Sequence, residues 1–121
     1  MDCLFCKIVN GEIPCFKIYE DDTVLAFLDI NPDSNGHTLI IPKKHYLDLD
    51  SIDEEVLIHI MKIAKNLKNK ISNKLHCDGM TLIQNNGDVQ EIKHFHLHLK
   101  PYYNKKQDIK PVEEIFKTIT D

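Results

Sequence analysis

The sequence predicts an α+β domain: an antiparallel sheet of about five strands packed by one long helix, with short helices at the N- and C-terminal ends. Three observations carry this. Short apolar runs bounded by Gly, Pro, Asn and Asp recur along the chain. One long stretch, from Ser51 to about Leu75, keeps helical spacing instead. The strands on either side of it do not alternate with helices one for one, as a parallel sheet would require.

Each element follows in order. Leu4 to Val9 supports one or two helical turns, ended by Asn10-Gly11. Phe16 to Tyr19 and Thr23 to Leu28 read as two strands joined by the acidic turn Glu20-Asp21-Asp22. Asp29 to Gly36 is dense in turn formers and makes a loop. His37 to Ile41 is an apolar strand stopped by Pro42. Ser51-Ile52-Asp53-Glu54 has the pattern of a capping box and opens the long helix. Val56, Ile60, Ile63, Leu67 and Ile71 form its apolar stripe. Met80 to Gln84 is a strand, Asn85-Asn86-Gly87-Asp88 a turn, and His94 to Pro101 the last strand. Pro111, suited to a first helical turn, starts a short helix through Ile119.

A length of 121 residues fits one domain, residues 1–121, without repeats or low-complexity segments. The apolar fraction of 42% and charged fraction of 28% are ordinary for a soluble protein. A net charge of -4 argues against nucleic-acid binding but leaves an anionic small-molecule substrate open. No apolar run is long enough to span a membrane. Met1 to Lys7 lacks the basic start and apolar stretch of a signal peptide, so a cytoplasmic location is expected. There the four cysteines are expected free or metal-bound rather than paired.

The chemistry concentrates in His94-Phe95-His96-Leu97-His98-Leu99. Alternate residues of a strand share a face, so His94, His96 and His98 are expected on one side, with Phe95, Leu97 and Leu99 packed behind. A lone histidine is most often a satisfied core or surface residue. Three at strict alternation point to metal ligation, acid–base work or nucleophilic attack on phosphorus. Crowded imidazoles also disfavour one another's charged forms, which keeps some neutral near pH 7. His37 opens the apolar strand that precedes Lys43-Lys44-His45. Cys3 and Cys6 have the spacing of half a tetrahedral zinc site, or of an unmetallated or redox pair. Cys15 and Cys77 read as ordinary thiols, and His59 and His76 as surface residues. Lys43, Lys44, Lys100, Lys105 and Lys106 read as a solvated rim or a local positive field.

Taken together these segments resemble the histidine triad superfamily, in its Hint-type branch of nucleoside phosphoramidases. The resemblance runs through Cys3-Leu4-Phe5-Cys6-Lys7-Ile8, Gly11-Glu12-Ile13-Pro14, Tyr19-Glu20-Asp21, Leu25-Ala26-Phe27-Leu28-Asp29-Ile30, the His37 block, Asn85-Asn86-Gly87 and the triad. It implies the HIT-like fold and a purine nucleotide substrate. His96 is then the nucleophile, which attacks the α-phosphorus and forms a nucleotidyl-histidine intermediate. His98 holds a phosphoryl oxygen and helps protonate the leaving group, His37 supports the phosphate, and His94 orients the cluster. Asp29 and Ile30 match the ribose pair, Phe27 the base pocket with Leu4, Phe5 and Ile8 as weaker candidates, and Asn85 and Gln90 the phosphate side. Resembling bacterial proteins also imply a structural Zn²⁺ on Cys3, Cys6, His45 and His94, and a homodimer. No organic cofactor or magnesium is implied. The chain departs from the pattern in two places. Only Gly87-Asp88-Val89 separates the Asn-Gly turn from Gln90, about two residues fewer than usual, and Glu91 takes a position where some relatives carry a phosphate-contacting serine. A carboxylate there repels phosphate. Dinucleoside polyphosphate hydrolysis and a non-catalytic nucleotide-binding module stay open as alternatives.

Overall fold

The computed structural model describes residues 3–121. Met1 and Asp2, the start of the segment read for a leader, lie outside the described residues. The elements are α1 (Leu4–Val9), β1 (Lys17–Glu20), β2 (Val24–Leu28), β3 (Thr38–Pro42), α2 (Glu54–Leu75), β4 (Gly79–Gln84), β5 (Leu97–Tyr102) and α3 (Val112–Thr120). A single 3₁₀ turn, Gly87–Val89, takes up the predicted Asn85–Asp88 turn. The five strands form one antiparallel sheet in the order β1-β2-β3-β5-β4.

The alternation of side chains explains why β2 and β3 are buried at every position. Val24, Ala26, Leu28 and Ile40 face the core built on α2, with Leu97 and Leu99 from β5. From α2 this core takes Ile60, Ile63, Leu67 and Ile71 of the predicted stripe and also Ala64, while Val56 packs against it only partly buried. Leu25, Phe27, Leu39 and Ile41 face the other way, against Cys3, Phe5 and Ile8 from α1 and its cap. The sheet is therefore covered on both faces, not one. The long helix makes the structural core, and α1 closes the face that carries the site.

Several predicted boundaries move, each for a local reason. Ser51 does not cap α2: the N-cap is Asp53, without a side-chain cap bond. Ser51 is held instead in a turn by Asp48, whose Oδ1 accepts from the Asp50 and Ser51 amides. Asp53 accepts from the Tyr46 hydroxyl at 3.0 Å. Pro42 ends β3 from within, and its missing N–H costs the ladder nothing at that last position. The last strand begins at Leu97, not His94. Ahead of it the chain turns, with the His94 amide donating to the Ile92 carbonyl and the Phe95 amide to the Tyr46 carbonyl. Pro111 is the N-cap of α3, one position before its first helical residue.

Candidate active site

Three imidazoles converge at the β3–β5 junction, where Leu39 pairs with His98. His37 lies just before β3 and His96 just before β5, both buried, while His98 is half-buried within β5. The His37 Nε2 lies 2.9 Å from His98 Nδ1. The Asp33 amide donates to His37 Nδ1 at 3.1 Å. That amide cannot accept, so His37 Nδ1 is bare and its Nε2 carries the hydrogen. The hydrogen bond to His98 then leaves His98 Nδ1 as acceptor and Nε2–H as donor. His96 is set the opposite way. Its Nδ1 bonds the His94 carbonyl at 2.8 Å, which can only accept, so Nδ1 carries the hydrogen and Nε2 keeps its lone pair. Side by side, with ring centroids 4.9 Å apart, stand a bare ring nitrogen and an N–H donor.

Burial pushes all three imidazoles below their ordinary pKa. For His98, loss of water and then its neighbours His96 and His37 lower it to about 4. For His37, Asp29 and Asp33 pull against burial without overcoming it, and Asp29 Oδ2 lies 3.7 Å from His37 Nε2. Phe5 meets the His96 ring edge-on at 5.0 Å and the Phe27 ring at 5.7 Å. These apolar walls make the desolvation.

The cavity in front of His96 and His98 has a volume of about 400 Å³. It brings together Asp29, Ile30, Phe27 and Asn85 from the predicted set, with Leu4, Phe5 and Ile8 on its apolar side. Ile30 is 70% exposed, which leaves its side chain available to a ligand. The Asp29 Oδ1 accepts the Asn31 amide at 2.9 Å, an Asx turn, and Asp29 also lines the cavity. Gln90 is not among the lining residues. It is buried, and its amide donates to the Leu47 carbonyl at 2.6 Å. Glu91 does line the cavity. Residues that the sequence reading did not assign also line it: Cys15, whose thiol burial pushes upward, and Lys100, which pairs with Asp33 at 2.6 Å.

His94 serves a second cluster. One donor atom from each of Cys3, Cys6, His45 and His94 lies within 4.8 Å of the others. The His94 Nε2 donates to the Pro42 carbonyl at 2.8 Å, which leaves Nδ1 bare, 3.3 Å from Cys3 Sγ and 3.6 Å from Cys6 Sγ. Burial pushes His94 down to about 4 and, with the Cys3 hydrogen bond, pushes the Cys6 thiol up to about 11. Two sulfurs and two neutral imidazoles fit a closed tetrahedral Zn²⁺ site. The three triad rings thus do not line one common face. His94 turns to the sulfurs, and His96 and His98 to the cavity.

His59 is not a plain surface residue. With the Tyr19 hydroxyl it meets Asp21 Oδ2, each at 2.6 Å, which ties α2 to the β1–β2 turn. Spacing carries no signal for this contact across 38 positions. Lys43 pairs with Glu20 at 2.8 Å and does not line the cavity.

The chain matches the HIT domain family model over residues 10–105. It is 44% identical to the uncharacterized HIT-like protein MJ0866 of Methanocaldococcus jannaschii, over 93% of this chain and 88% of that protein. It is 39% identical to the adenosine 5'-monophosphoramidase hnt1 of Schizosaccharomyces pombe, over 88% of this chain and 78% of that protein. A Zn-bound histidine triad family protein from Mycobacterium smegmatis superposes with a TM-score of 0.91 at 35% identity, covering 99% of this chain and 91% of that one. With the fold, the imidazole cluster and these matches in agreement, the chain belongs to the HIT domain family.

Proposed function

We propose that this chain is a purine nucleoside phosphoramidase-like hydrolase, acting on AMP joined to an amine through a nucleotidyl-histidine intermediate. One observation carries the reading: the bare Nε2 of His96 faces the same cavity as the Nε2–H of His98. Asp29 takes the ribose hydroxyls beside Ile30, Phe27 borders the base, and Asn85 approaches the phosphate. Gln90 acts from behind by fixing Leu47. His96 Nε2 forms a bond to the α-phosphorus as the phosphorus–nitrogen bond breaks. The amine leaves with the electron pair and a proton, delivered through His98 from solvent. The phosphate's own charge favours the proton-bearing imidazole at that moment. Water then attacks phosphorus as its proton passes back to solvent, and the electron pair of the breaking phosphorus–nitrogen bond returns to His96. His37 holds His98 in the tautomer the first step needs.

Zn²⁺ on Cys3, Cys6, His45 and His94 would supply structure, pinning α1 against the segment that carries His96. Residues 1–121 form one HIT domain in this reading. A reducing cytoplasm suits its thiols. A homodimer is supported by β4, paired among the described residues only to β5, with Leu82 41% exposed.

The test is hydrolysis of an AMP–amine phosphoramidate beside diadenosine tetraphosphate, with His96→Ala as control. Preferential amide cleavage, reduced at least about 10³-fold in the variant while AMP still binds, is expected. Preferential polyphosphate cleavage replaces the substrate class. AMP binding without turnover of either substrate makes the chain a binding module.

A further inference from the structure

A second cavity, of about 460 Å³, adjoins the first. Asp33 and Lys100 line both. Beyond them the second is bordered by Ser34, Thr81, Tyr102 and Lys106. Side chains two apart on a strand share a face, so His98, Lys100 and Tyr102 follow one another along β5. In-line displacement sends a leaving group directly away from its nucleophile. In that row His98 borders the first cavity, and Lys100, next along it, borders both.

Lys100 is suited to receive what arrives. Its side chain is 26% exposed, and its ammonium pairs with the Asp33 carboxylate, which is 64% exposed. A solvent-facing pair of this kind is weakly held, so an incoming anion can replace the carboxylate. Lys106 adds a second cation in the same cavity, against the overall charge of -4. Glu91 lines the first cavity and repels negative charge that would settle there instead.

We propose that the second cavity is the leaving-group subsite, and that Lys100, with Lys106, makes it select leaving groups that carry a negative charge away from the scissile bond. This rests on the nucleotidyl-transfer reading of the first cavity. The ligand class is an acidic amine, such as an amino acid bearing a free carboxylate. Lys100 acts as a specificity residue and takes no proton in the chemistry.

The test compares AMP phosphoramidates of three similar amines: β-alanine, propylamine and 1,3-diaminopropane. The expected kcat/KM order is carboxylate, neutral, ammonium, with about fivefold between steps and most of it in KM. Lys100→Ala compresses the order, Lys100→Glu inverts it, and Lys100→Arg keeps it, which separates charge from folding. A wild-type order blind to charge or favouring the ammonium overturns the proposal, as does an order unchanged in Lys100→Glu. A second measurement needs no turnover. Calorimetry compares AMP with ADP, whose β-phosphate extends on the leaving-group side. Tighter ADP binding, erased in Lys100→Ala, is expected. AMP binding without any ADP gain overturns the subsite alone, whereas failure to bind AMP overturns the nucleotide reading together with it.

Discussion

His37 and His98 show how single residues set the working pH. In the unfolded chain both take a proton near their ordinary value, about 6.5. In the fold His98 does so only at about 4, and His37 is lowered as well. Between those limits the unfolded chain binds more protons, so stability falls as pH drops from about 6.5 toward 4. Above that window both states are neutral and the contribution is constant. Thermal melts from pH 8 to 4.5 are expected to show a flat region, then a decline with a slope of up to about 1.4 kcal/mol per pH unit for each group. His98→Asn removes one share of that slope. Asp33, held below the usual carboxylate range by Lys100, acts in a lower window, below about pH 4. At this scale the sequence was informative about which residues matter and about the neutral state that crowding favours, and silent about which ring nitrogen carries the hydrogen. The alternation of His94, His96 and His98 is visible in the string. That Asp33 fixes the hydrogen on His37 depends on a loop amide four residues upstream, which no spacing rule reports.

Among the elements, the loop from Asp29 to Gly36 and the strand after it position His37. Gly36 has φ +94°, a left-handed conformation open to glycine and strained for other residues. A Cβ there would stand 2.5 Å from Leu75 Cδ1 and 3.1 Å from Pro101 Cγ. Leu75 can move, but the Pro101 ring in β5 has little freedom. Gly36→Ala is therefore expected to lower unfolding free energy by roughly 2–3 kcal/mol in denaturant titration, from backbone strain plus overpacking. A loss under about 0.5 kcal/mol would show that the loop adapts. Element types were readable because their periods differ: β2 is a short apolar run between turn formers, and α2 holds its stripe over 22 residues. Boundaries were less so. The Ser51 capping pattern lost to a competing Asp48 turn, and the triad strand was read as starting three residues too early because the turn at Ile92–His94 is held by main-chain bonds.

For the whole molecule, the distribution of covered and open surface is the informative quantity. α2 and α3 cover one face of the sheet and α1 part of the other, yet β4 remains an open edge. Open edges invite pairing with another strand. The homodimer reading puts a second copy there, so Leu82→Glu is expected to lower the mass seen by light scattering from dimer toward monomer. An unchanged dimer would move the interface elsewhere. The core built on α2 was anticipated through its stripe, whereas the cluster under α1 was not. Burial of every position in β2 and β3 reads equally as a fully covered strand or a helix segment, and α1 is too short to announce the face it closes.

His94 divides its work between two atoms. The ring belongs to the sulfur cluster, while the main-chain carbonyl orients His96. A carbonyl is present whatever residue the codon specifies. Mutational drift at position 94 can therefore erase the ring from the sulfur cluster without directly removing the hydrogen bond that orients His96. The two inheritances are separable, so a lineage is free to lose the imidazole of the sulfur cluster first and keep the contact that orients His96.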